Sequence, residues 1–228
     1  MSTLLTSALT GVVFGFALAS PPGPMNAIIA EESVVRGWSA GVRAGLGAFT
    51  ADAVFFVLAA LGLVTFVEDA TLLKAAMVAV GGALMLYFAA GALADARAGE
   101  SFVDADGESE KGFQKAFVLA LTNPYQIVFW LTVGVHMLDD QTIDVFSHVP
   151  YVGTDLAGVL LVESGSPALI VGFFCGILVW VTGFPATLVS VGNRVDRFAP
   201  AVAAASAVVL AGFGVFFLVD AGATLGVW

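Results

Sequence analysis

S-P-P-G-P-M-N, Ser20 to Asn26, interrupts an apolar run that extends from Leu4 to Ala30. A proline inside a helix removes a hydrogen bond and clashes with the preceding turn, at a cost of about 3 kcal/mol. Pro21, Pro22, Gly23 and Pro24 in succession cannot continue a regular helix. Within a bilayer the freed backbone groups must find protein or water partners. The segment is therefore expected to line a cavity or to pack inside a helix bundle, with the polar side chain of Asn26 beside it. The plainer alternative is a kink that only shapes packing.

The rest of the chain places this break in lipid. Hydrophobic residues make up 59% of 228 and charged residues 11%, against about 25% charged in soluble domains. Five further apolar runs follow, near Val42–Phe66, Leu72–Leu93, Phe113–Leu138, Pro167–Val191 and Phe198–Val219. Each approximates the 20 or so residues that a spanning helix needs. The expected fold is an all-α integral membrane protein with six transmembrane helices in a single transmembrane domain over 1–228. The N-terminus lacks the basic stretch of a cleavable signal, and its first run reads as a mature helix.

Basic residues set the expected orientation. Arg36, Arg43, Arg97, Lys111, Lys115, Arg194 and Arg197 fall in alternate connections, and only Lys74 falls on the other side. The positive-inside rule puts the first group in the cytoplasm and both termini outside. The linker near 94–112 divides the runs into two sets of three, about 4–93 and 113–220. An odd number per set forces opposite orientations, as in inverted repeats. A long acidic outer loop, 139–166, joins runs four and five. Its apolar middle, Val149 to Val162, reads as a short interfacial helix or lid.

A second break, L-T-N-P-Y-Q from Leu121 to Gln126, opens the second set. Proline-interrupted helices in corresponding positions are the best sequence pointer to a transporter's binding site. Pro22, Gly23, Pro24, Asn26, Thr122, Asn123 and Pro124 are thus candidates for substrate binding, although Asn123 also suits a helix cap. Asp52 lies inside the second run with no basic neighbour in sequence. An Asp at mid-membrane costs about 2.5–3.5 kcal/mol on insertion scales. It is read as a coupling or substrate-ammonium site, with a structural hydrogen bond to a neighbouring helix as the alternative. Glu31 and Glu32 are either guards of an inner mouth or solvated helix ends. Glycines four apart (Gly11 and Gly15, Gly41 and Gly45, Gly172 and Gly176) suit close helix packing, as do Gly212 and Gly214. Trp130 reads as an ordinary membrane aromatic, Trp38 as an interfacial anchor, and Cys175, the only cysteine, as a small core residue.

Other classes fit poorly. A net charge of -10 opposes nucleic-acid binding; an acidic surface fits a high-salt cytosol. No hydrolase, phosphate-loop or metal-protease motif occurs, so no enzyme, cofactor or metal is expected.

S-P-P-G-P-M-N-A-I-I-A, Ser20 to Ala30, with R-G-W-S-A-G, Arg36 to Gly41, resembles the first-helix signature of the lysine exporter (LysE/RhtB) family. Gly37 to Gly41, Asp52 ahead of L-A-A-L-G-L, the T-N-P of Thr122 to Pro124 and N-R-V-D-R-F-A-P, Asn193 to Pro200, are similar to family features in the same order. The outer loop is longer than in the family, and Met25 stands where a polar residue is frequent. The resemblance implies a plasma-membrane secondary transporter exporting amino acids or related small metabolites, driven by a proton or sodium gradient through alternating access. A homodimer is compatible with it. The alternatives are a non-transporting assembly or sensor protein and an exporter of ions or metals.

Overall fold

A computed structural model of the chain describes residues 3–62, 71–98, 109–130, 134, 137–138, 142–144, 161–192 and 198–225. Its helices are α1 (Thr3–Ala19), α2 (Pro24–Arg36), α3 (Trp38–Ala60), α4 (Thr71–Ala98), α5 (Ser109–Thr122), α6 (Pro124–Phe129), α7 (Pro167–Gly192) and α8 (Phe198–Thr224). Two short strands, β1 (Thr142–Asp144) and β2 (Leu161–Glu163), pair antiparallel with Thr142 opposite Glu163. The fold is otherwise helical among the described residues. Leu161 and Val162 therefore belong to a strand and not to the expected interfacial helix; residues 149–160 lie outside the described residues.

Four helical stretches are long and apolar enough to cross a membrane: α3, Ala75–Ala94 of α4, α7, and Pro200–Thr224 of α8. Counting α1 with α2 as one broken span makes five. The remaining expected crossing, Phe113–Leu138, divides at Asn123, and neither α5 with 14 residues nor α6 with 6 spans alone. Most of its last third lies outside the described residues. The outward faces are apolar, with Val80, Val171, Val179, Val208 and Phe216 more than half exposed. A soluble chain rarely tolerates that much exposed apolar surface, whereas lipid solvates it.

The chain packs as two compact units. The first comprises Met1–Ser20 and Thr132–Trp180. Here the glycine spacing acts as expected. A Cβ on Gly11 or Gly15 would collide with the Leu169 or Phe173 carbonyl, and one on Gly172 or Gly176 with the Ala8 or Val12 carbonyl. Only glycine lets the two backbones of α1 and α7 approach this closely, which maximises dispersion contact where lipid supplies no hydrophobic drive. Phe16 packs edge-on against Trp180 at 5.3 Å. Cys175 is exposed on the outer face of α7, not in the core as expected, because Phe173 and Ile177 occupy the inward positions.

The second unit comprises Pro21–Leu131 and Val181–Trp228. Its core joins Ile28, Ala51, Met85, Leu119, Leu210 and Phe217 from five helices. Small residues again set the approach. Gly45 receives Val181, Gly47 receives the Phe113 carbonyl, and Gly214 receives Leu86 of α4. Gly212 faces open space, so the packing role expected for it falls to Gly214 alone. Trp38 is half exposed and its Nε1 donates to the Thr182 carbonyl at 3.0 Å, as suits an anchor at a helix start.

Candidate functional site

The first break occupies residues 20–23, with Pro22 and Gly23 in the connection itself. Gly23 caps α2 in an extended conformation, φ -174° and ψ -176°, without a side-chain acceptor. Pro24 is the first helical residue, where its missing N–H costs nothing. The Ala27 N–H reaches the Gly23 carbonyl at 2.9 Å, and the Asn26 Nδ2 donates back to the Pro21 carbonyl at 2.8 Å. A Cβ on Gly23 would meet nothing within 4 Å. The start of α2 is therefore open at Gly23.

The second break is shorter. Thr122 ends α5, Asn123 caps α6, and Pro124 is again the first helical residue. The Asn123 Oδ1 accepts from the Tyr125 N–H at 3.1 Å. This satisfies one of the amides that a helix start leaves without an intrahelical acceptor. The Thr122 hydroxyl donates to the carbonyls of Val118 at 3.0 Å and Leu119 at 3.2 Å, and Gly81 of α4 makes room for it.

Asp52 meets the helix that begins at this second break. It is 5% exposed within α3. The Gln126 Nε2 donates to its Oδ1 at 2.7 Å and the Trp130 Nε1 to the same atom at 2.8 Å. Among the described residues both hydrogen bonds fall on Oδ1. The indole ring, 1% exposed, lies 6.0 Å edge-on from Phe56. Trp130 is thus not the ordinary membrane aromatic it resembled in sequence. The available signal was its spacing of four from Gln126, which puts two N–H donors on one helical face just after a proline break. Of the sequence candidates, the structure gathers Thr122, Asn123 and Pro124 at the start of the helix that contacts Asp52. Pro22, Gly23, Pro24 and Asn26 form a separate cluster at the start of α2.

Glu31 and Glu32 are buried at 2% and 1% exposure, which corrects the reading of them as solvated ends. The Glu32 Oε1 lies 3.1 Å from Arg36 Nη1 and 3.3 Å from Lys115 Nζ, and Glu31 lies 3.9 Å from the same Lys115. Lys115 thereby ties α5 to α2. A Cβ on Gly112 would fall 3.1 Å from the Glu32 Oε2, so glycine lets α5 close over the carboxylate. Oε2 itself is buried without a hydrogen-bond partner among the described residues.

Known proteins match part of this chain in sequence. A putative amino acid efflux protein of Bacillus subtilis is 30% identical over 128 residues, covering 55% of this chain and 60% of that protein. A leucine efflux protein of Salmonella typhimurium is 30% identical over 136 residues, 58% of this chain and 61% of its own length. An uncharacterized membrane protein of Pseudomonas aeruginosa is 32% identical over 136 residues, 57% of this chain and 61% of its own. The match thus spans about three fifths of the length of these relatives. No solved structure matches. The profile of the LysE type translocators matches residues 16–161, more than half of the chain and both breaks with Asp52 between them. The chain belongs to the LysE type translocator family.

Proposed function

We propose that the chain is a secondary transporter that exports amino acids, with Asp52 as the group that receives the substrate ammonium or the coupling proton. The observation that carries this reading is the buried carboxylate with two donors fixed on one oxygen. The indole and amide N–H groups orient the carboxyl and leave Oδ2 without a hydrogen bond among the described residues. An intramembrane carboxylate that faced no ligand would be a poor use of the 2.5–3.5 kcal/mol or so that its insertion costs.

A zwitterion also needs a site for its carboxylate. The start of α2 at Gly23, a cluster apart from Asp52, suits that carboxylate at another station of the export path, because the first amides of a helix and its dipole attract anions. Pro22, Pro24 and Asn26 hold that start in place, while Thr122, Asn123 and Pro124 set the direction of α6 and hence of Gln126 and Trp130. The leucine and amino acid efflux relatives favour a neutral amino acid such as leucine. Six crossings in two inverted sets of three, with both termini outside, would let the sets rock about this site while a proton or sodium gradient supplies the energy.

Proteoliposomes loaded with labelled amino acids test the proposal. Efflux of at least one of them that depends on an imposed proton or sodium gradient is expected. Absence of efflux for every amino acid under both gradients would favour the non-transporting assembly or sensor reading.

A further inference from the structure

Glu32 and Lys115 stand at matching distances from the two breaks. Glu32 lies eight residues after Pro24 on α2, and Lys115 eight residues before Asn123 on α5. At 1.5 Å per residue each is about 12 Å along its helix from a break. The Lys115 ammonium joins the two helices there, 3.3 Å from the Glu32 Oε1 and 3.9 Å from the Glu31 Oε1. On its other flank α5 is held by backbone: a Cβ on Gly47 of α3 would fall on the Phe113 carbonyl. The α3 flank of α5 is thus interlocked, whereas charge ties its α2 flank.

That charge contact has a second arrangement within reach. The Lys115 Nζ also lies over the Phe88 ring of α4, 5.6 Å from its centroid. An ammonium at this distance is attracted by the ring. A cavity of about 300 Å³ borders Lys115, Phe88 and Glu32, so the lysine has room to withdraw. The closed arrangement is also imperfect. Glu32 Oε2 is buried without a hydrogen-bond partner among the described residues. A buried acceptor left unmade costs free energy that water would recover on opening. Glu32 keeps Arg36 at 3.1 Å when Lys115 leaves, so opening does not strand a lone buried charge.

We propose that the Lys115 clamp on Glu31 and Glu32 is the inner gate of the export path, closed in this structure. The inference rests on the transport reading and on the orientation proposed with it, which puts the ends of α2 and α5 that carry the clamp in the cytoplasm. Opening moves the Lys115 ammonium from the two carboxylates to the Phe88 side of the cavity and admits water between α2 and α5. A substrate from the cytoplasm then enters between the helices that lead to both breaks. An element with two discrete arrangements is what such a gate requires.

The test uses the full chain with Cys175→Ser and a cysteine pair made by Glu31→Cys and Lys115→Cys. Gradient-driven amino acid efflux from proteoliposomes is measured before and after a short bis-methanethiosulfonate linker bridges the pair. Bridging should cut efflux about tenfold or more, and reductant should restore it. Efflux by the bridged protein at the unbridged rate would overturn the gate and leave a static brace. Absence of efflux from the wild type would instead count against the transport reading. A second measurement needs no efflux. Ala27 shares a helical face with Glu31, one turn closer to the first break, and is 7% exposed. In detergent, N-ethylmaleimide should label Ala27→Cys about fivefold faster with Lys115→Gln than with Lys115. Lys115→Arg should restore the slow rate. Ala221→Cys, buried near the far end of α8, should label at one rate in all three backgrounds. Equal rates at Ala27→Cys, or an equal acceleration at Ala221→Cys, would overturn the proposal.

Discussion

The two breaks place proline near asparagine in opposite order, and they fold differently. Asn26 follows Pro24, already lies inside α2, and turns its amide N–H back to the Pro21 carbonyl. Asn123 precedes Pro124 and accepts from the Tyr125 N–H. The residue before a proline is biased toward extended backbone, and φ -77° with ψ 113° gives Asn123 the geometry of a cap. No residue at the first break can cap in this way, because Gly23 has no side chain. One break is thus open and the other closed. The closed break contributes by aiming α6 at Asp52, and the open break contributes the helix start itself.

This contrast predicts different responses to substitution. The largest is Trp130→Phe, which removes a donor from Asp52 at the closed break. A loss of about 1–2 kcal/mol is expected, measured as a lower thermal midpoint in detergent, and an unchanged midpoint would break the link between α6 and Asp52. Asn123→Ala removes the cap and should cost about 1 kcal/mol by the same measurement. Gly23→Ala should change stability least, by about 0.5 kcal/mol or less, since its backbone is ordinary and its Cβ has room. Its efflux should nevertheless fall in proteoliposomes, because the methyl group intrudes on the open helix start. Wild-type efflux by Gly23→Ala would reduce the first break to a kink that shapes packing.

Sequence patterns made much of this legible, for reasons that differ by element. Apolar runs locate α3, α4, α7 and α8 to within about six residues at their ends, because lipid demands unbroken hydrophobic length. The breaks are legible because proline acts locally, whatever surrounds it. The reciprocal glycines of α1 and α7 are legible through their spacing. Contacts between helices distant in sequence are not. Nothing adjacent to Asp52 foretells that Trp130, 78 positions away, donates to it. The burial of Glu32 depends on Lys115, 83 positions away, and on the small size of Gly112. The exposed side of Cys175 depends on which face of α7 meets α1, and a uniformly apolar helix carries little periodicity to reveal it.

Asp52→Asn tests the central claim most directly. Asparagine keeps a side-chain oxygen for Trp130 and Gln126, so the fold should survive, as monodisperse elution and a thermal midpoint near wild type would verify. Gradient-driven amino acid efflux in proteoliposomes should then fall by about tenfold or more, the equivalent of about 1.4 kcal/mol of lost interaction. Efflux by a folded Asp52→Asn protein at the wild-type rate would contradict the account and leave Asp52 a structural hydrogen-bond acceptor between α3 and α6.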